Sequence, residues 1–223
     1  MTRKRLTVPE QNVREYAYEL SYKLACEQLT GIVDVEKQCQ KSGARYSPAE
    51  KSIILNHLNR SYSIGFPDGA VSLIGSEDPV PIRDKILILH YFIGAKGTPP
   101  SGKTITYKEL HDGINYYPTF FKRAISPIIT NFGKEPEQLV DVSKSLGGRS
   151  TEYGDLAVTI DAFPNVPITV VLWKGDDEFP ADGNMLFDST IQDYLPIEDV
   201  TILSEIIAWS LVRLQKAGGD KPG

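Results

Sequence analysis

Cysteine is scarce in this chain of 223 residues, with Cys26 and Cys39 the only two. Two thiols cannot by themselves hold a four-cysteine zinc site or an iron–sulfur cluster. Both are expected to be free and inert, because a disulfide is disfavoured in a reducing cytoplasm. Long apolar runs are missing too. None reaches the roughly 20 residues of a membrane span, and Lys23 and Glu27 break the first apolar stretch, which predicts no signal peptide. A cytoplasmic protein with no membrane partner is expected. Basic surface is equally thin. The net charge is −5, and Met1–Arg5 is the one basic cluster, so no nucleic-acid partner is expected. A G-x-S-x-G elbow is absent, which removes local support for Ser-His-Asp catalysis. There is no internal repeat and no dividing linker.

What remains is an ordinary globular composition, 41% hydrophobic and 24% charged. Helical spacing of Val13, Tyr16, Ala17, Leu20, Leu24 and Leu29 predicts an amphipathic helix over Asn12–Leu29. A second helix is expected over Val33–Gln40, with Asp34 as its cap and Gly43 after its end. Ser52–Leu58, Arg60–Phe66 and Ala70–Ile74 read as strands, the last two joined at Pro67-Asp68-Gly69. Ile82–Ile93 is apolar nearly all round and reads as a buried helix. Thr104–Tyr107 suits a short strand. Pro118–Asn131 suits a helix interrupted at Pro127, and Glu135–Leu146 another. Asp155–Ala162 and Pro167–Trp173 predict an antiparallel hairpin with one face half buried. Pro196 opens a final helix over Ile197–Lys216, and Gly218–Gly223 is a tail. The fold class is α+β, a single domain (residues 1–217) in which one antiparallel sheet is covered by helices.

Three features bear on chemistry. Gly97–Thr104, GTPPSGKT, satisfies the phosphate-loop pattern G-x-x-x-x-G-K-[ST]. Pro99 and Pro100 remove two backbone donors, and a helix precedes it where a strand is required, so a rigid surface loop is the better reading. His90 sits in the apolar helix beside Tyr91. It is either a hydrogen-bonded core histidine or an axial ligand to a metal or metal–tetrapyrrole. The aromatics of Gly113–Phe121 either fill the core or line a pocket for a flat ligand. His90, Tyr91, Tyr116 and Phe120 are the candidate cofactor-binding residues.

The third feature is the acidic stretch Asp176–Asp188. Its Asp176, Asp177, Glu178 and Asp188 are the candidate metal ligands, although the calcium-loop spacing is absent. A solvated turn is the alternative. Phe179 and Phe187 are expected to pack inward and hold the carboxylates on one surface.

Leu87–Tyr91 (LILHY), Pro100–Leu110 (PSGKTITYKEL), Leu146–Gly148 (LGG), Gly154–Trp173 and the DDEFPA and MLFD blocks of Asp176–Asp188 together resemble a family of domains of unknown function. That family occurs in anaerobic bacteria and archaea. Some members carry an N-terminal four-cysteine iron–sulfur module like that of corrinoid iron–sulfur proteins, which this chain lacks. The resemblance implies an accessory or cofactor-binding protein of anaerobic metabolism, serving a corrinoid or other metallocofactor. Two other readings stay open: a metal-dependent enzyme using the Asp176–Glu178 carboxylates, and a protein-interaction module whose acidic loop meets a basic partner.

Overall fold

The computed structural model describes residues 10–219. The basic cluster Met1–Arg5 and the end of the tail, from residue 220, lie outside the described residues. The first helix, α1 (Glu10–Thr30), is followed by α2 (Val35–Ser42). Asp34 caps α2, its carboxylate accepting from the Lys37 N–H at 2.9 Å. Gly43 ends α2 at φ 70°, a left-handed conformation that glycine adopts without a Cβ penalty. The apolar face read from the sequence of α1 packs only in part. Leu29 is buried as read, with Ala25 beside it, but Tyr16, Leu20 and Leu24 are exposed. The C-terminal half of α1 carries its buried residues, and Tyr22 fastens it by donating to the Gly69 carbonyl at 2.8 Å.

Strands β1 (Arg45–Ser47), β2 (Ser52–His57), β3 (Arg60–Gly65) and β4 (Val71–Leu73) form a four-stranded antiparallel sheet in chain order. The β2–β3 connection is a two-residue turn, with Leu58 at φ 47° and Asn59 at φ 60°, whose twist suits a tight hairpin. Helix α3 (Ile82–Gly94) follows and carries the apolar run, with Leu87, Ile88, Leu89, Tyr91 and Phe92 at 0–1% exposure. Gln38 of α2 closes its far end. The Gln38 side-chain amide donates to the carbonyls of Phe92 (2.6 Å), Ala95 (3.1 Å) and Ile93 (3.2 Å), groups that a helix end leaves without intrahelical partners.

After β5 (Thr104–Thr106), helix α4 (Gly113–Phe120) runs through a π-helical turn (Phe121–Ile125) into α5 (Ser126–Phe132). The interruption expected at Pro127 takes this form. Proline offers no N–H and crowds the preceding turn, so the helix widens there, with the Ser126 N–H reaching back to the Phe121 carbonyl. Then come α6 (Glu137–Ser143), β6 (Arg149–Thr151), β7 (Leu156–Phe163), β8 (Val166–Trp173), β9 (Asp182–Asp188) and α7 (Ile197–Gly219).

The protein is α+β, but with two antiparallel sheets rather than the single one expected. The second has five strands in the order β5-β9-β8-β7-β6. The reason lies in the strand edges. Arg149–Thr151, not read as a strand from sequence, occupies the free edge of β7, and Asp182–Asp188, read as a loop, occupies that of β8. No edge of the β7–β8 hairpin is left for β3 or β4. The β7 strand is also buried on both faces over Ala157–Ile160, not on one. The Ala162 carbonyl near the end of β7 links the two sheets by accepting from the Leu58 N–H of the β2–β3 turn at 3.2 Å.

Candidate functional site

The four acidic candidates do not converge. Asp176 closes its own turn, Oδ1 accepting from the N–H groups of Phe179 (2.7 Å) and Glu178 (2.8 Å). Those bonds hold its carboxyl below the usual carboxylate range. Asp188 lies at the other end of β9, whose rise places it about 20 Å from Asp182. Phe187 is buried as expected, but Phe179 is 67% exposed and points away from the fold. The chain turns outward there because β9 begins only at Asp182 and pairs with Trp173, leaving residues 174–181 as a protruding link. Among the described residues, no group of three or more His, Cys, Asp or Glu side chains is placed to hold a metal ion.

Asp188 instead organises the loop with the phosphate-binding motif. Its Oδ1 accepts from Ser101 N–H (3.0 Å), Ser101 Oγ (3.0 Å), Thr190 N–H (3.0 Å) and Thr190 Oγ1 (2.7 Å), and its Oδ2 from Gly102 N–H (2.8 Å). Burial pushes the Asp188 pKa up, but the bonds from Thr190 and Ser101 outweigh it and bring it down to about 2. The loop's amides are thus spent on a carboxylate of the protein, and Thr104 opens a strand instead of a helix.

The aromatic candidates divide between two places. Tyr91 and Phe120 are core residues. Tyr91 stacks on Phe163 at 4.0 Å and donates to the Ser42 carbonyl at 2.8 Å, and Phe120 stacks on Tyr107 at 3.9 Å. His90 and Tyr116 meet the first turn of α7. The His90 Nδ1–H donates to Asp199 Oδ2 at 2.7 Å, a bond that raises the imidazole pKa against the opposing effect of burial. Tyr116, 41% exposed, lies near Glu198, whose carboxylate raises the phenol pKa. None of the four lines the cavity that borders α7.

That cavity, of about 630 Å³, lies between the small sheet and α7. A volume of this order suits a small-molecule site. Its walls come from the β2–β3 hairpin, the loop from Asp78 into α3, and one face of α7 carrying Glu205, Trp209 and Arg213 at four-residue spacing. Three guanidinium groups line it. Arg83 is spent on Glu205, to which it donates twice, Nη1–Oε1 at 3.2 Å and Nη2–Oε2 at 2.9 Å. Arg123 approaches the same carboxylate at 3.8 Å. Arg60 and Arg213 have no carboxylate within 4.0 Å among the described residues. Arg213 donates to Ser210 Oγ at 2.9 Å. Asp84 also lines the cavity, and burial raises its pKa while Arg83 and Arg213 pull it down.

His57 also lines the cavity and is 2% exposed. Its ring stacks on Phe163 at 4.4 Å, and Nδ1 lies 2.9 Å from the Ala162 carbonyl. Its Nε2 is buried and has no partner among the described residues. A second hollow of about 400 Å³ shares Arg60 and Arg213 and continues along Leu146, Leu214 and Ala217. Sequence reasoning missed this site. Its signal was the spacing of Glu205, Trp209 and Arg213 on a helix read only for its apolar face.

The family model described as a domain of unknown function (DUF3786) matches residues 34–209, and the chain belongs to that family. No curated protein and no solved structure matches the chain significantly.

Proposed function

We propose that this member of the DUF3786 family is a binding protein whose ligand is a small organic anion seated in the cleft between β3 and α7. The observation that carries the reading is the pair Arg60 and Arg213, two guanidinium groups with no carboxylate within 4.0 Å among the described residues, at a cavity of about 630 Å³. A guanidinium fork matches a carboxylate or phosphate with two parallel hydrogen bonds. Trp209, 43% exposed at the cavity wall, offers a flat apolar surface beside that charge. The role that follows is that of an accessory or cofactor-binding protein. Service in anaerobic metabolism, and a corrinoid or other metallocofactor as cargo, draw their support from the sequence resemblance. A cytoplasmic location draws support from the two free thiols, Cys26 and Cys39.

The test is calorimetric titration of the full chain with benzoate, phenyl phosphate and inorganic phosphate. At least one is expected to bind, with a loss of about ten-fold or more in an Arg60→Ala/Arg213→Ala variant. Binding that is equal in both proteins, or absent for all three probes, overturns the reading.

A second reading, as a protein-interaction module, is favoured by one observation. Phe179 stands exposed beside Asp176, Asp177 and Glu178, an apolar tip among carboxylates that suits a basic partner. A partner retained from lysate by the native chain and equally by a Phe179→Ser variant would count against it.

A further inference from the structure

The cleft contains a group that an anion alone does not satisfy. His57 ends β2, directly opposite Arg60 across the hairpin. Its Nδ1 lies 2.9 Å from the Ala162 carbonyl, and a carbonyl oxygen can only accept. Nδ1 therefore carries the ring proton. Nε2, on the side of the ring turned from that carbonyl, bears the lone pair of a neutral imidazole. Burial reinforces this state by pushing the imidazole pKa down to about 4. The ring has little freedom to turn, held as it is against Phe163 at 4.4 Å and Tyr62 at 5.9 Å. A buried acceptor without a partner is costly, and among the described residues the only unpartnered buried side-chain nitrogens or oxygens are His57 Nε2 and Arg83 Nε. Both residues line the one cavity.

We propose that the ligand of the cleft is an organic anion that also carries an O–H or N–H donor, its anionic group held by Arg60 and Arg213 and its donor bonded to His57 Nε2. This rests on the cleft reading given above. It restricts the ligand class to hydroxy- or amino-substituted carboxylates and phosphates. The hollow along Leu146, Leu214 and Ala217 leaves room beyond the arginines for an apolar extension. His57 serves here as a specificity-determining residue. A simple carboxylate leaves its nitrogen unpaired, and a hydroxylated one does not.

The experiment compares benzoate with 2-, 3- and 4-hydroxybenzoate by calorimetry on the full chain, native and His57→Phe. At least one hydroxybenzoate is expected to bind about ten-fold tighter than benzoate to the native protein, an advantage lost in His57→Phe while benzoate affinity is kept. Nitrogen-15 NMR of the histidine-labelled native chain gives a second readout that needs no variant. The His57 Nε2 resonance is expected to shift with the tighter hydroxybenzoate and not with benzoate. If benzoate and all three hydroxybenzoates bind equally, or Nε2 does not respond, the donor requirement is overturned and the anion cleft stands. If none of the four binds, the donor requirement is overturned, and the anion cleft falls with it when phenyl phosphate and inorganic phosphate also fail to bind.

Discussion

The Gly102 N–H donates to Asp188 Oδ2 at 2.8 Å, and this bond explains why a loop with the phosphate-binding pattern is not built as a phosphate site. The neighbouring Ser101 N–H donates to the same carboxylate at 3.0 Å. The chain supplies its own anion to the amides, from a strand 86 residues further on. Asp188→Asn keeps the shape but replaces an acceptor-only group with one that must turn a donor toward N–H groups. The expected cost is about 2–3 kcal/mol, seen as a lower urea midpoint. An unchanged midpoint would mean that the loop holds itself.

The two buried or half-buried histidines act on pH stability in opposite senses. His90 has its pKa raised above 6.5 by the bond to Asp199. Its contribution is therefore complete below that value and fades as pH rises through the raised folded-state pKa. His57 has its pKa lowered from 6.5 to about 4 by burial. The unfolded chain takes up that proton first, so a penalty grows as pH falls from 6.5 to about 4, reaching about 3 kcal/mol. Urea unfolding across this range is expected to show His57→Phe flattening the acid side and His90→Gln flattening the neutral-to-alkaline side. Parallel profiles for both variants and the native chain would contradict these assignments.

Gln38 is buried and bonds three carbonyls at the end of α3. Gln38→Leu preserves the volume and strands those carbonyls away from water. A loss of about 2–4 kcal/mol is expected, accompanied by faster amide exchange at the end of α3 and in the Ala95–Lys96 link. Uniform protection in the variant would show that water replaces the amide.

Gly113 opens α4 against the chain that precedes it. A Cβ there would lie 1.9 Å from the Tyr107 carbonyl oxygen, a backbone atom with no side-chain freedom to yield. Gly113→Ala is expected to destabilise by about 3 kcal/mol and to disturb the Tyr107–Phe120 stack, readable in near-ultraviolet circular dichroism. A variant with native melting temperature and spectrum would mean that α4 shifts freely.

Much of this protein was determined by local sequence. The helix over Ile82–Ile93, the pairing of β7 with β8 as a hairpin, the caps Asp34 and Gly43, and the helix opened by Pro196 are set by interactions a few residues long, and each was legible. Three strands were not. Arg45–Ser47 and Arg149–Thr151 are short and polar, and Asp182–Asp188 hides alternating Met185 and Phe187 among aspartate, glycine and asparagine; all become strands because a neighbouring edge offers its N–H and C=O groups. The candidate site was decided at the same level. His57, Arg60, Arg83, Trp209 and Arg213 come from segments with nothing in common locally, and His57 alternates in a strand as any core residue would. That one nitrogen has no partner and two arginines have no carboxylate among the described residues are properties of what folds against them, and only the tertiary structure creates them.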